Sequence, residues 1–412
     1  MDKIEQLIES CEDNLKDMFK QLEKKALINQ ERVLEAFKKY RISYRHFSGT
    51  TGYGYDDVGR DTLSKVFADL FGTESAIVSP LITCGSHADA LTILGILYQR
   101  GKKMLSITGK PYDTLDEVIF GKEGEDIGSL KDLGVEYYQI DFKDGKLDET
   151  EILKQAKELK PDLIFMQRSR GYNWRDPLSI DDIEDIIAKI KTVNKDAYIM
   201  VDNCYGGFMD IKEPTAVGAD VAIGSLIKNM GGGLAPTGAY IAGKKKIIDM
   251  VSHRLTSPSL GLEVGSYAYG YQQFYQGVFM APHTILQGLK GCLLMSSVMR
   301  ELGYNVLPKP NQLPLDVITS IELKDPKKLV AFCQAIQASS PIDSFVSPEP
   351  WDMPGYTTPI IMAAGTFNQG STIELSCDAP MRDPYILYLQ GGLTYEHVKI
   401  ALRNSIKNID NF

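Results

Sequence analysis

Between Lys3 and Lys39 the apolar residues Leu7, Leu15, Met18, Phe19 and Leu22 recur near helical spacing among charged ones, which predicts a long amphipathic helix, an arm able to pack on a partner subunit. From Asp57 to about residue 245 the pattern changes to short apolar runs separated by longer amphipathic stretches. The runs Ser75–Val78, Lys103–Thr108, Val135–Ile140, Asp162–Met166, Ala197–Val201, Val221–Ile223 and Gly238–Ile241 predict strands alternating with helices. That alternation implies an α/β fold, a mostly parallel seven-stranded sheet wrapped by helices. A helical connector follows, including Thr284 to Leu302. The last part mixes strands at Asp316–Leu323 and Thr372–Ser376 with helices at Pro326–Ala338 and Tyr395–Asn408, a smaller α/β domain. Pro341 to Gly355, rich in Pro, Ser and Asp, reads as a mobile loop. The expected organisation is an N-terminal helical arm (1–56), a large domain (57–245), a helical connector (246–314) and a small C-terminal domain (315–412).

Composition narrows the class. A chain of 412 residues buries a large core and exceeds one typical domain. A net charge of -9 with no long basic stripe argues against nucleic acid as a partner. Lys244 to Lys246 reads as a solvated turn or helix start. No apolar run approaches the roughly 20 residues that span a bilayer, and the charged start is unlike a signal peptide, so no membrane association and a cytoplasmic location are expected. The cysteines at 11, 84, 204, 292, 333 and 377 form no C-x-x-C pair and no zinc spacing, which predicts reduced, independent thiols. Cys84 and Cys204 read as small packing residues.

The chemistry-bearing segments lie at predicted strand ends. In VAIGSLIKNMGGGLAPTG, Lys228 follows an apolar strand ending in Ser225 and precedes Gly231 to Gly233, which sets an amine beside backbone that a bulky ligand can approach. A surface lysine before a loop is the plainer alternative. In AYIMVDNCYGG, Asp202 stands at the carboxyl end of a buried strand, where open α/β sheets bind ligands; it also fits a turn cap. In ITCGSHADALTILG, Gly85 and Ser86 open a helix whose free N–H groups suit a phosphate, or form an ordinary cap. His87 is either a helix-start residue beside a bound ring or a packed histidine. In GKPYDTL, Tyr112 follows a strand and can lie over a planar ligand, with Asp113 and Thr114 starting the next helix. The nucleotide-binding alternative is weak, because Gly52, Gly54 and Gly59 do not make G-x-G-x-x-G after a strand.

The order Gly85-Ser86, Tyr112, Asp202, Ser225-x-x-Lys228 resembles the aspartate aminotransferase-like superfamily, fold type I of the pyridoxal phosphate enzymes, and within it the cystathionine and methionine lyases. More narrowly, GYGYDDVGRD, GKPYDTLDEVIF, QRSRGYNWR, VDNCYGGF, IKNMGGGLAPTGAYIAG and YLQGGLTYEH look like the methionine γ-lyase family protein group, also labelled aluminium resistance proteins, from about residue 40 to the C-terminus. The resemblance implies pyridoxal 5'-phosphate as cofactor, with Lys228 as its internal aldimine lysine and Asp202 as the partner of its ring nitrogen. Tyr112 would stack on the ring and serve as acid for a departing sulfur, while Gly85, Ser86 and Ser225 hold the phosphate. Tyr55 and Arg60 resemble the tyrosine and arginine lent to a neighbouring subunit's phosphate. Their spacing of five replaces the lyases' two, so Tyr53 is an alternative to Tyr55, and Arg60 an alternative salt-bridge residue. Tyr388 sits near the place of the lyases' substrate-carboxylate arginine, which leaves Arg382 or Arg168 for that role. The resemblance further implies carbon–sulfur lysis of methionine, cystathionine or cysteine in a homodimer or homotetramer. The alternatives are an aminotransferase or aldolase, or a binding or regulatory protein without catalysis.

Overall fold

The computed structural model describes residues 3–99, 101–353 and 358–410. Helix α1 (Lys3–Lys39) buries Ile4, Ile8, Cys11, Leu15, Leu22, Val33 and Ala36 along one face, as its spacing predicts. Helix α2 (Val58–Phe71) is capped by Asp57, whose side chain accepts from the Arg60 N–H, and ends at Gly72 in the left-handed conformation. The large sheet then builds up as β1 (Ser75–Ser79), α3 (Gly85–Ile96), β2 (Lys103–Ser106), α4 (Asp116–Phe120), β3 (Glu136–Gln139), α5 (Glu149–Leu159), β4 (Leu163–Gln167), α6 (Ile180–Val193), β5 (Tyr198–Asp202), β6 (Val221–Ser225) and β7 (Ala239–Gly243). Helices α7 (Lys245–Leu255) and α8 (Gln272–Glu301) lead to β8 (Asn305–Leu307), β9 (Ile318–Glu322), α9 (Pro326–Ala338), β10 (Ile360–Ala363), β11 (Ser376–Pro380), β12 (Ile386–Gln390) and α10 (Tyr395–Asp410).

The seven strands lie in the order β1-β7-β6-β5-β4-β2-β3. All neighbours pair in parallel except β7, which runs antiparallel to both β1 and β6. Strands β4, β6 and β7 are buried along their whole length and β5 at every residue after Tyr198, as expected of a sheet covered on both faces. The five remaining strands form a second, antiparallel sheet in the order β10-β11-β12-β9-β8. Its first strand, β8, starts at Asn305, within the stretch expected to be connector.

Three departures from the sequence pattern bear on the site. The expected strand Thr372–Ser376 is a bend, and β11 begins only at Ser376. Glu374 turns inward to accept the Phe367 and Asn368 N–H groups, which takes this stretch out of the ladder. The connector helix starts twelve residues before Thr284, because Pro282 is accommodated inside α8. The buried face of α1 is covered by its own chain: Lys290 on α8 pairs with Glu23, and Tyr395 and Lys399 on α10 reach Glu12. The Pro341–Gly355 stretch has no helix and only an isolated bridge at Trp351 through residue 353, and its last two residues lie outside the described ones. Among the described residues no helix is long and apolar enough to cross a membrane.

Candidate active site

The carboxyl ends of β4, β5 and β6 and the start of α3 converge on one cavity of about 230 Å³. Parallel strands end on the same side, so the residues following each meet there regardless of their separation in sequence. Gly85, Ser86, Tyr112, Asp202, Ser225 and Lys228 all line it. The second sheet closes the other side with Ile318, Asp378, Tyr388 and Gln390.

Lys228 is held by contacts from both sides. Its Nζ donates to Thr372 Oγ1 at 3.0 Å, which is what the bend before β11 delivers. The same atom lies 4.2 Å from the centre of the Tyr205 ring. Burial alone pulls the Lys228 ammonium down, but Tyr205, Cys204 and Asp202 outweigh it, and the group lies above the ordinary lysine value. No second cation stands beside it among the described residues, so burial alone acts to lower it. Among the described residues, Lys228 is the single cation lining the cavity.

Asp202 closes β5 and accepts the Cys204 N–H at 3.0 Å. Burial raises its pKa, only partly offset by that bond and by Lys228. A carboxylate so placed gains from a cationic partner inside the cavity, such as a protonated ring nitrogen. At the opposite end, the first turn of α3 offers backbone N–H groups that no side-chain cap satisfies. A Cβ at Gly85 would meet Cys204 Sγ at 2.6 Å, so the tight seat of this helix end on the β5 loop requires glycine. Ser86 Oγ is 2.5 Å from Thr114 Oγ1, and Ser225 Oγ accepts the Ile227 N–H at 3.4 Å. Tyr112 is anchored by its N–H to Gln167 Oε1 at 3.0 Å and, 37% exposed as a residue, lines the cavity. An anion site, a carboxylate and an amine thus stand round one space with an aromatic ring at its edge, a set that fits pyridoxal 5'-phosphate.

Other expected residues sit elsewhere. Arg168 does not face the cavity: its buried guanidinium donates to Asn203 Oδ1, Gly206 O and Leu178 O, tying β4 to the turn after β5. Arg382 is exposed at the turn before β12, outside the cavity lining, though near enough to act on the Tyr388 phenol. Arg60 is turned inward, donating to Gly54 O, Gly265 O and Asp61. Tyr55 stacks on Tyr53 with ring centres 5.4 Å apart, both of them exposed and away from this chain's own cavity. His87 Nδ1 accepts the Thr83 N–H and is a helix-start residue outside the cavity lining. Gly231 and Gly232 do not face a ligand; a Cβ on either would strike the Leu226 or Gly277 carbonyl, so they serve the packing of this turn against β6 and α8. The six cysteines are free, but Cys333 and Cys377 are not independent, with their sulfurs 3.5 Å apart.

Tyr205, Thr372, Asp378 and Gln390 were missed. Tyr205 donates to Gln390 Oε1 at 2.9 Å, Gln390 Nε2 to Asp378 at 2.8 Å, and Tyr172 to Asp378 at 3.1 Å. This chain of bonds joins the two sheets across the cavity. Only Tyr205 had a sequence signal, three residues after Asp202.

A family model described as methionine gamma-lyase matches residues 4–410. The chain is 46% identical over 399 residues to the uncharacterized protein YnbB of Bacillus subtilis strain 168, covering 97% of this chain and 94% of that one. A solved structure of a carbon-sulfur lyase involved in aluminum resistance from Clostridium novyi NT is 48% identical, with a TM-score of 0.95 over 99% of this chain and 96% of that one. The pyridoxal-5'-phosphate dependent protein YhfS of Escherichia coli shares the fold alone, at 16% identity and a TM-score of 0.64 over 93% of this chain and 96% of that one. The two-sheet architecture is therefore that of the fold type I pyridoxal phosphate enzymes, and the chain belongs to the methionine gamma-lyase family.

Proposed function

We propose that the protein is a pyridoxal 5'-phosphate-dependent carbon–sulfur lyase that takes methionine, cystathionine or cysteine and, with water, releases a thiol, a 2-oxo acid and ammonia. The observation that carries this reading is the convergence of Lys228, Asp202 and the open start of α3 on one cavity. Family membership favours lysis among the reactions such a site serves.

Lys228 Nζ would carry the cofactor, Asp202 would hold its ring nitrogen, and Gly85, Ser86 and Ser225 would take its phosphate. Bound there, the cofactor supplies an electron sink for negative charge at the substrate α-carbon. Lys228 Nζ takes the α-proton and passes it on to the β-carbon side of the substrate or to solvent, since the carbonyl carbon of the 2-oxo acid keeps none. Tyr112 gives a proton to the leaving sulfur. Tyr205, whose phenol burial pushes up, stays protonated beside Lys228 and orients it. Arg382, at the turn beside Tyr388, is the arginine we assign to the substrate carboxylate in preference to the fully engaged Arg168. Tyr55, exposed and outside its own cavity, is assigned to a partner subunit's phosphate in a homodimer or homotetramer.

The test is an absorbance spectrum of purified protein with cofactor, before and after borohydride reduction, beside Lys228→Ala. A visible band that reduction fixes to Lys228, and that the variant lacks, is expected. Thiol and 2-oxo acid should then form in equal amounts from at least one of the three substrates. A 2-oxo acid without thiol, dependent on an added amino acceptor, would identify a transaminase instead.

A further inference from the structure

Asp89 has no place in the site as drawn so far, yet it lines the cavity. It lies on α3 four residues after Gly85, hence on the same helix face one turn further in. Only 3% of it is exposed, and its Oδ1 is buried without any hydrogen-bond partner. A buried, unpaired carboxyl destabilises the fold, so its place inside a ligand cavity points to a task there.

The neighbours restrict what that task is. The ionisable groups acting on Asp89 are Asp202 at the end of β5 and Cys84 at the start of α3. Lys228 and Cys204 line the same cavity, and Lys228 acts on Asp202. Helix α7, packed on α3 where Gly95 meets Val251, engages its charges elsewhere: Lys245 with Asp249, Lys246 over Tyr198 and Arg254 over Tyr98. On the turn after β2, Asp113 faces Lys110. No cation is therefore paired with Asp89 among the described residues. Two neighbouring buried carboxyls without a cation between them do not both ionise, and one of them keeps a proton. Asp202 has the Cys204 N–H and Lys228 to favour its charge, whereas Asp89 Oδ1 has no partner and burial raises the Asp89 carboxyl well above the ordinary carboxylate range, so the proton belongs on Asp89.

We propose that Asp89 is a positioning residue: as a neutral acid it donates to the Asp202 carboxylate and keeps that carboxylate charged and aimed at the cofactor's ring nitrogen. The inference rests on the assignment of Asp202 to that nitrogen. It adds a second carboxyl to the ring-nitrogen end of the site, one that contributes a hydrogen bond rather than charge.

The test compares wild type, Asp89→Asn and Asp89→Leu as cofactor-free protein, titrated with pyridoxal 5'-phosphate and followed by fluorescence. Asparagine is neutral and can donate in the same place, so its Kd should stay within about threefold of wild type. Leucine cannot donate, and its Kd should rise by about tenfold or more. Melting temperature of the cofactor-free proteins gives a second reading. The unfolded chain releases the Asp89 proton near the ordinary carboxylate value while the folded chain retains it. Wild type therefore loses stability as pH rises from 5.5 to 8.5, and Asp89→Asn should lose less. Equal Kd values for wild type and leucine, or an asparagine variant as weak as leucine, overturn the proposal. So do equal melting slopes for wild type and asparagine. Failure of wild type itself to bind the cofactor would overturn the cofactor reading, whereas the melting slopes report on the Asp89 proton in either case.

Discussion

Asp202 is worth more to this protein paired than alone. Burial makes its charge costly, and the Cys204 N–H and Lys228 offset only part of that cost. A cationic ring nitrogen opposite it would form a charge-assisted bond worth roughly 1.5–3 kcal/mol. Asp202→Asn should accordingly weaken cofactor binding about tenfold to a hundredfold by fluorescence titration, while leaving the cofactor-free fold intact by circular dichroism. At this scale the sequence was informative where a residue stood at the end of a predicted strand. Asp202, Ser225 and Lys228 each follow a short apolar run, and parallel strands deliver such residues to one edge without further information. Thr372, Asp378 and Gln390 were invisible because nothing local marks them. Thr372 meets Lys228, Gln390 meets Tyr205 and Asp378 meets Tyr172 only through the docking of a second sheet, some 144 residues further along the chain counted from Lys228 to Thr372. Arg168 was misread for the opposite reason: a conspicuous charge near a strand end turned out to be spent on Asn203 and backbone carbonyls.

Among the elements, α3 carries the most function per residue. Its apolar body packs with β6, β7 and α7, and its first turn is set against the β5 loop through Gly85. Gly85→Ala should push the turn away from Cys204, at a cost of roughly 1–3 kcal/mol in stability by urea denaturation. Combining it with Cys204→Ala should recover more than half of the loss, since the close contact is with that sulfur. Helix and strand positions were largely legible: α1 and α9 coincide with the expected ranges, and all seven strands of the large sheet fall on predicted runs. Misreadings came where a polar residue turned inward, as Glu374 does at the expected strand Thr372–Ser376. The short strands β8, β10 and β12 were not anticipated: β8 is only three residues, and β10 and β12 are four and five residues long, too short for periodicity to tell strand from buried helix.

For the whole molecule, the union of the two sheets matters most. Arg170, in the loop after β4, is completely buried and makes a two-pronged ion pair with Asp316, just before β9, at 3.1 and 3.2 Å. It joins the hydrogen-bonded line Tyr205–Gln390–Asp378–Tyr172 in tying one sheet to the other. Asp316→Ala would leave the guanidinium buried and unpaired, which should lower stability by about 3–5 kcal/mol, read as a lower midpoint in chemical denaturation. The glycine turn behind Lys228 adds a further tie, since Gly232 presses on Gly277 of α8, whose length runs on toward the second sheet. This seam has an evolutionary consequence. A cavity whose opposite walls belong to different sheets cannot be remodelled from one side alone, because an altered wall residue loses a partner encoded more than a hundred residues away. Drift toward a new substrate would then proceed by matched pairs of changes, such as Tyr205 with Gln390, and single changes at the seam would be weeded out before they could be tried for chemistry.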